Sequence, residues 1–344
     1  MNIPDDKVIL VTGSAGFIGF HVAHQLLQAG KTVVGVDAMI DYYSPQLKRD
    51  RTSILNEFEK FRYYEFYLED KDKLAQLFEA HTPTYIIHLA AQAGVRHSLT
   101  NPQEYLDHNI QGTFTLMEQA RSHGVEHFLF ASTSSVYGDE KDMPFLETMA
   151  CNTQLTIYAA TKKACESMLH SYAHLWGTPT TVFRFFTVYG PWGRPDLALF
   201  KFIEAGKEDR PIDVYNQGEM QRDFTYVGDL AKSVNLLTGC VPPDPRGQGD
   251  DFVNGSHLSS NIAPYRIVNI GRNKPENLNH FISVIEKVCK IKFKRNDMPM
   301  QKGDVPATWA SADRLLGLTG YLPDTEIEQG IRSFYDWYED YYGK

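Results

Sequence analysis

The sequence predicts an α/β protein: a parallel sheet wound with helices on both faces, followed by a smaller region of mixed strands and helices. Three observations carry this. Apolar strand-like runs alternate with helical stretches through the first half of the 344-residue chain. A glycine-rich turn, Gly13-Ser14-Ala15-Gly16-Phe17-Ile18-Gly19, joins the first strand to the first helix. After Gly190 the alternation gives way to a pattern broken by Pro191, Gly193, Pro195 and Pro211.

The elements follow in order. Lys7 to Thr12 is a short apolar strand, and Phe17 to Gln28 is a helix that Gly30 ends. Lys31 to Asp37 is the second strand. A helix over Lys71 to His81 leads into a strand from Thr84 to Ala90. Asn101 to Ser122 reads as one long helix, and His127 to Ser132 as a strand. The helix over Thr156 to Trp176 is followed by a strand from Thr180 to Phe186. Val241 to Ser260, rich in Pro, Gly, Asp and Ser, reads as a long exposed loop. Tyr335, Tyr338, Tyr341 and Tyr342 fall on an amphipathic C-terminal helix that packs back onto the domain.

Composition narrows the functional classes. Hydrophobic residues make up 42% of the chain, enough for a sizeable core. The net charge of −9 without a basic cluster argues against a nucleic-acid partner. No apolar run approaches the ~20 residues that span a membrane, so no membrane partner is expected. Cys151, Cys165, Cys240 and Cys289 form no Cys-x-x-Cys pair and suggest neither a disulfide framework nor a metal site. They read as buried thiols in a reducing compartment. With the polar Met1 to Lys7 leading straight into a strand, a cytoplasmic location is expected.

The chemistry rests on two motifs. In the first, Gly13 allows a tight turn, Gly16 lets backbone approach a pyrophosphate, and Gly19 lets helix and strand pack closely. This is the signature of a Rossmann-type dinucleotide site. Asp37, at the end of the second strand, suits both ribose hydroxyls and repels a 2′-phosphate, which favours NAD over NADP. The second motif is Tyr158-Ala-Ala-Thr-Lys162, whose tyrosine and lysine share a helix face. A tyrosine of pKa ~10 is too weak a base near neutrality. A neighbouring ammonium and a positive nicotinamide ring would favour its phenolate, and three pKa units need roughly 4 kcal/mol. His88 reads as a half-buried strand histidine rather than an acid or base. The small residues of the Leu89-Ala90-Ala91-Gln92 run suit close passage of a dinucleotide, and Asn109 is placed to fix the backbone there.

Together these residues resemble the extended short-chain dehydrogenase/reductase superfamily. Longer segments narrow the resemblance. They include Ala90-Ala-Gln-Ala-Gly-Val-Arg96, the run from Arg184 through Pro191-Trp-Gly-Arg194 to Asp196, Ala198-Leu-Phe-Lys-Phe202, and Met220-Gln-Arg-Asp-Phe-Thr-Tyr226. Pro264 to Gly271 and Gly303-Asp-Val-Pro306 complete the set. From about residue 7 to 340 the chain resembles the UDP-glucuronate 4-epimerases. The resemblance implies a Rossmann-type NAD-binding domain over 1–186, with segments near 224–240 and 265–272 returning to it. Residues 187–344 would mainly bind the UDP-sugar. It also implies NAD-dependent epimerisation at the sugar C4 through a 4-keto intermediate, and a homodimer paired through Asn101–Ser122 and Thr156–Trp176.

The roles implied by the resemblance are these. Tyr158 is base and then acid, Lys162 holds the ribose, and Thr133 bonds the 4-oxygen. Ala15, Phe17, Ile18, Tyr67, Leu68 and Phe186 join the cofactor set already described. Ser134 and Ser135 flank the sugar, Arg194 faces the hexuronate with Thr187 beside it, and Arg222 and Gln301 face the diphosphate. Tyr215 lies beside the uracil, and Arg96, Phe200 and Asp304 complete the substrate set. Ala38, Tyr67, His97 and Gly228 depart from the pattern; Tyr67 stands where an aspartate commonly meets the adenine amino group. Dehydratases carry Asp-Glu after the threonine and glucuronate decarboxylases a glutamate, whereas Ser134 and Ser135 are neutral. Two alternatives stand beside this reading: a 4-epimerase of neutral UDP-hexoses or N-acetylhexosamines, and a non-catalytic NAD sensor, which Tyr158 and Lys162 weigh against.

Overall fold

A computed structural model describes residues 3–300 and 305–343. Its largest element is a seven-stranded parallel sheet in the order β10-β6-β5-β4-β1-β2-β3. The strands are β1 (Val8–Thr12), β2 (Thr32–Asp37), β3 (Phe61–Glu65), β4 (Tyr85–His88), β5 (His127–Thr133) and β6 (Thr180–Phe185). Short β7 (Thr187–Tyr189), β8 (Ile212–Tyr215) and β9 (Gln221–Tyr226) follow, and then β10 (Tyr265–Ile270), which returns to the edge of the large sheet beside β6. The central strands are buried on both faces, as expected of a parallel sheet covered by helices. One face packs on the helices Phe17–Gln28 and Val227–Thr238, the other on Lys71–His81, Gly112–Ser122 and Ile157–Trp176.

The smaller region is built on β7, β9, β11 (Pro275–Asn277) and β13 (Ala307–Thr308). A separate parallel pair joins β8 to β12 (Arg295–Met298). Its core joins Phe200, Phe202 and Phe281 to Phe334 and Tyr338 of the C-terminal helix Ile327–Tyr342. The cluster of tyrosines expected to pack inward does so in part: Tyr338 is buried, and Tyr342 stays exposed.

Helix Pro45–Asn56 and strand β3 have no counterpart among the elements expected from the sequence. Two expectations are corrected. The long helix over Asn101 to Ser122 is interrupted: Pro102–Tyr105 and Gly112–Ser122 are α-helical, but Leu106–Gln111 is a π-turn. Such a bulge shifts the register of side chains, and here buried Asn109 bonds the Gln92 backbone. The stretch Val241 to Ser260 is mostly exposed but holds the short helix Asp250–Gly255, whose first turn carries Asp250 and Asp251 as its dipole favours.

Candidate functional site

A cavity of about 290 Å³ runs along the carboxyl ends of β1, β2, β4 and β5. That is where doubly wound sheets bind ligands, because the loops diverge there. It is lined by Gly13, Gly16, Phe17, Ile18, Gly19, Asp37, Tyr67, Leu68, Leu89, Ala90, Ala91 and Gln92 at one side. Thr133, Tyr158, Lys162, Phe186 and Arg194 line the other.

The glycine turn has the local geometry its residues demand. Gly13 sits at φ +71°, and a Cβ there would lie 2.7 Å from the Ala90 backbone nitrogen. A Cβ on Gly19 would overlap the Gly13 carbonyl oxygen. Gly16 precedes the helix Phe17–Gln28, whose first turn receives no side-chain cap. Its unpaired N–H groups therefore face the cavity end, a natural seat for a pyrophosphate. Ala15 is fully buried and turns its carbonyl to Arg51 rather than to the cavity (2.9 Å).

Asp37 ends β2 with its carboxylate 3.5 Å from Lys48 and accepting a bond from the Met39 N–H (2.9 Å). Lys48 comes from the helix Pro45–Asn56, as does Arg51; Tyr42 and Tyr43 precede it and also line the cavity. Ser44 followed by Pro45 at the first helical position is the start signal that would have found this helix. Tyr67 offers a ring lying parallel to His108, with centroids 5.3 Å apart, where relatives are expected to offer a carboxylate. Asn109 accepts from the Gln92 N–H (2.8 Å) and donates to the Gln92 carbonyl and to Thr161 (both 3.1 Å). It thus pins the loop after β4 to the helix that carries Tyr158. The glycine cradle, the uncapped helix start and the Asp37 carboxylate fit a dinucleotide.

Thr133 closes β5, and its hydroxyl caps the following turn by accepting from the Ser135 N–H (3.1 Å). Half-buried Ser134 and Ser135 lie in that turn and are absent from the cavity wall. Thr156 caps the helix Ile157–Trp176, which sets Tyr158 in its first turn and buries Lys162 one turn on. Lys162 donates to the Ala131 carbonyl (2.8 Å) and lies 4.6 Å from the Phe130 ring centre. Burial lowers its pKa to about 8.

The phenol departs from expectation. Burial raises the Tyr158 pKa above its ordinary value, opposed by the Thr133 hydrogen bond and the Arg194 cation. Lys162 is turned toward the Ala131 carbonyl and does not offset that burial. The protein's own groups therefore favour the neutral phenol at Tyr158. His88 is fully buried rather than half-buried, with hydroxyls of Thr12 (2.7 Å) and Thr113 (2.9 Å) on its two ring nitrogens. Burial, aided by the Lys162 charge, keeps its pKa well below the ordinary value, so it is a neutral structural residue. Behind Thr133, Ser132 donates to Glu166 (2.6 Å), which a buried Arg184 grips with two bonds of 3.1 and 2.8 Å. This pair joins β5, β6 and the Tyr158 helix.

The substrate set is more scattered. Arg194 lines the cavity with Tyr158, yet its Nε and Nη2 already donate to Asp196 (2.9 and 2.5 Å). Arg96 lies 4.8 Å from the Tyr215 ring centre, joining the loop after β4 to the end of β8. Arg222 donates to the Val305 (2.9 Å) and Pro306 (3.3 Å) carbonyls. Thr187 and Phe200 border a second, smaller cavity that shares Arg194. The Phe200 ring is buried against Phe334, Tyr338 and Tyr342, so it serves the core and leaves no open face for a sugar. Gln301 and Asp304 lie outside the described residues.

A Rossmann-type sheet with a dinucleotide cradle beside a Tyr/Lys/Thr constellation defines a nicotinamide-dependent enzyme that moves a proton at a hydroxyl group. The description of the NAD dependent epimerase/dehydratase family matches residues 9–239. A probable UDP-glucuronate 4-epimerase of Rhizobium meliloti is 46% identical over 333 residues, 97% of each chain. The UDP-glucuronate 4-epimerase of Thermodesulfobacterium geofontis is 39% identical, over 95% of each. The crystal structure of UDP-glucuronic acid 4-epimerase from Bacillus cereus, in complex with UDP-glucuronic acid and NAD, superposes with a TM-score of 0.86 at 30% identity. It covers 97% of this chain and 100% of that one. The chain belongs to the NAD dependent epimerase/dehydratase family.

Proposed function

We propose that this protein interconverts UDP-glucuronate and UDP-galacturonate, using NAD, through a transient 4-keto sugar. The observation that carries this reading is the meeting of Tyr158, Lys162, Thr133 and the cationic Arg194 in one cavity with the glycine cradle. The full-length similarity to UDP-glucuronate 4-epimerases supports it.

NAD, when bound, accepts a hydride from the sugar C4 and gives it back. Tyr158 Oη takes the 4-hydroxyl proton and later returns it, with the Thr133 hydroxyl orienting the 4-oxygen. Lys162 holds the nicotinamide ribose and Asp37 the adenosine ribose. The phenol is protonated in the protein alone, so its activation is coupled to cofactor binding: a positive charge arriving near a buried phenol favours the phenolate. Arg194 holds the carboxylate; Ser134 and Ser135, expected beside the sugar, stand off the cavity wall. Arg222 and Tyr215, with Arg96 reaching over from the first domain, take the nucleotide end, so that 1–186, with the returning segments, holds the cofactor and 187–344 mainly the nucleotide sugar.

The assembly we infer is a homodimer. The helix Ile157–Trp176 exposes Ile157, Ala160, Ala164, Ser167, Ser171 and Leu175 along one face, and Phe114 is exposed on the neighbouring helix. Small residues in such a row allow close approach of a second helix pair. Among the described residues no helix is long and apolar enough to cross a membrane, and four free thiols suit a reducing cytoplasm. The reading is tested by incubating the protein with a panel of UDP-sugars and separating the products chromatographically. Conversion of UDP-glucuronate well ahead of UDP-glucose and UDP-N-acetylglucosamine is expected; a preference for a neutral sugar refutes it.

A further inference from the structure

The Arg194 fork has two bidentate edges, because a planar guanidinium offers Nε with Nη2 on one side and Nη1 with Nη2 on the other. Asp196 occupies the first edge in side-on fashion, with bonds of 2.9 and 2.5 Å. Its own Oδ2 is also reached by the Tyr42 hydroxyl at 3.3 Å, and the Tyr42 ring lies 5.6 Å from the guanidinium carbon. Gly94, at φ +104°, makes room for this: a Cβ there would come within 2.6 Å of the Tyr42 oxygen. Burial opposes the Asp196 charge, yet the Arg194 bonds and cation outweigh it and hold the carboxyl below its ordinary pKa. Arg194 is thus held through Nε and Nη2, which leaves Nη1 as the nitrogen that Asp196 does not engage.

We propose that Asp196 is a positioning residue for substrate specificity: by holding one edge of Arg194 it aims the other at the hexuronate carboxylate and fixes where that carboxylate sits. The inference rests on the UDP-glucuronate reading above. Its consequence concerns a side reaction. In a 4-keto hexuronate the C5–C6 bond can break with loss of CO2. The electron pair passes through the enolate to C5, a proton adds there, and the ketone is reduced by the hydride removed in the first step, giving a UDP-pentose. The bond breaks readily only when aligned with the carbonyl π system. A carboxylate pinned by a fixed Arg194 stays out of that alignment.

Removing the Asp196 charge has a signature that simple damage lacks. Arg194 loses its neutralising partner, so attraction for an anionic sugar is kept or strengthened, while its aim is lost. For Asp196→Asn with bound NAD retained, the KM for UDP-glucuronate is expected to stay level or fall. kcat should drop about tenfold, since misplaced groups slow the chemical step, and the UDP-pentose fraction should rise. Asp196→Glu, which keeps the charge, should restore part of the product ratio. If Asp196→Asn does not fold, Tyr42→Phe removes only the hydroxyl on Oδ2 and should shift the ratio the same way by less. A raised KM with an unchanged product ratio, or native behaviour throughout, overturns the inference alone. A native protein that leaves UDP-glucuronate untouched overturns the functional reading and this inference with it.

Discussion

Replacing Lys162 by methionine should make the cofactor-free protein more stable and the enzyme nearly inert. Lys162 is 3% exposed, and its pKa falls from 10.5 to about 8 because burial penalises the ammonium. At ~1.4 kcal/mol per pKa unit, that depression corresponds to about 3 kcal/mol of lost stability near neutral pH. Methionine removes the charge at similar length but forfeits the 2.8 Å bond to the Ala131 carbonyl, a loss of about 1 kcal/mol. The net gain is about 2 kcal/mol. Its pH dependence has a definite sign: the unfolded lysine holds its proton to higher pH than the folded one. Native stability from this group therefore rises between the folded value of about 8 and the unfolded 10.5. The variant's advantage should shrink over that interval and vanish near pH ~10. Urea unfolding of nucleotide-stripped protein near pH ~7 and ~10 measures it. Turnover of UDP-glucuronate should fall at least about a hundredfold. A variant less stable than native at neutral pH, or an advantage that grows with pH, refutes the argument.

Other substitutions probe the remaining roles. Tyr158→Phe keeps the ring and removes the proton carrier; turnover should fall by ~10²–10⁴ with fold and NAD binding intact, and near-native turnover would assign the proton elsewhere. Arg194→Ala should cost roughly 1.5–3 kcal/mol, about ten- to hundredfold in kcat/KM, for UDP-glucuronate and much less for UDP-glucose. Equal losses would place Arg194 on the diphosphate. NAD rather than NADP should be released on denaturing the purified protein, since the Asp37 carboxylate that ends β2 in the cavity wall would repel a 2′-phosphate; recovery of mainly NADP contradicts that role.

The strands and helices legible in the sequence were those with sustained apolar periods. β1, β2, β4, β5 and β6 and the helices Phe17–Gln28, Lys71–His81 and Ile157–Trp176 are where their patterns put them. The helix Pro45–Asn56 was hidden because its buried face includes Lys48, Arg51 and Thr52, polar residues that only tertiary contacts explain. Arg51, wholly buried, bonds the Ala15 and Trp192 carbonyls and the Tyr43 hydroxyl, partners far apart in sequence. The Tyr158-x-x-x-Lys162 spacing placed both residues on the cavity, but not the direction of the ammonium, which the Ala131 carbonyl sets. Arg194 was legible as a cation near the site; that its near neighbour Asp196 takes half its fork was not, because an i, i+2 spacing in a Gly-Arg-Pro-Asp loop fixes no side-chain direction. The π-turn that turns Asn109 inward left no mark on the helical pattern at all.

The most direct test is the product of the native enzyme. Carboxylate positioning by Arg194, with neutral serines at 134 and 135 and hence no acid there to assist departure of CO2, predicts that UDP-glucuronate is converted to UDP-galacturonate with very little UDP-pentose. Mass spectrometry separates the pentose from the hexuronates, and chromatography separates the two epimers. UDP-galacturonate as the main product supports the account; a native enzyme yielding mainly UDP-pentose contradicts it and makes the protein a decarboxylase.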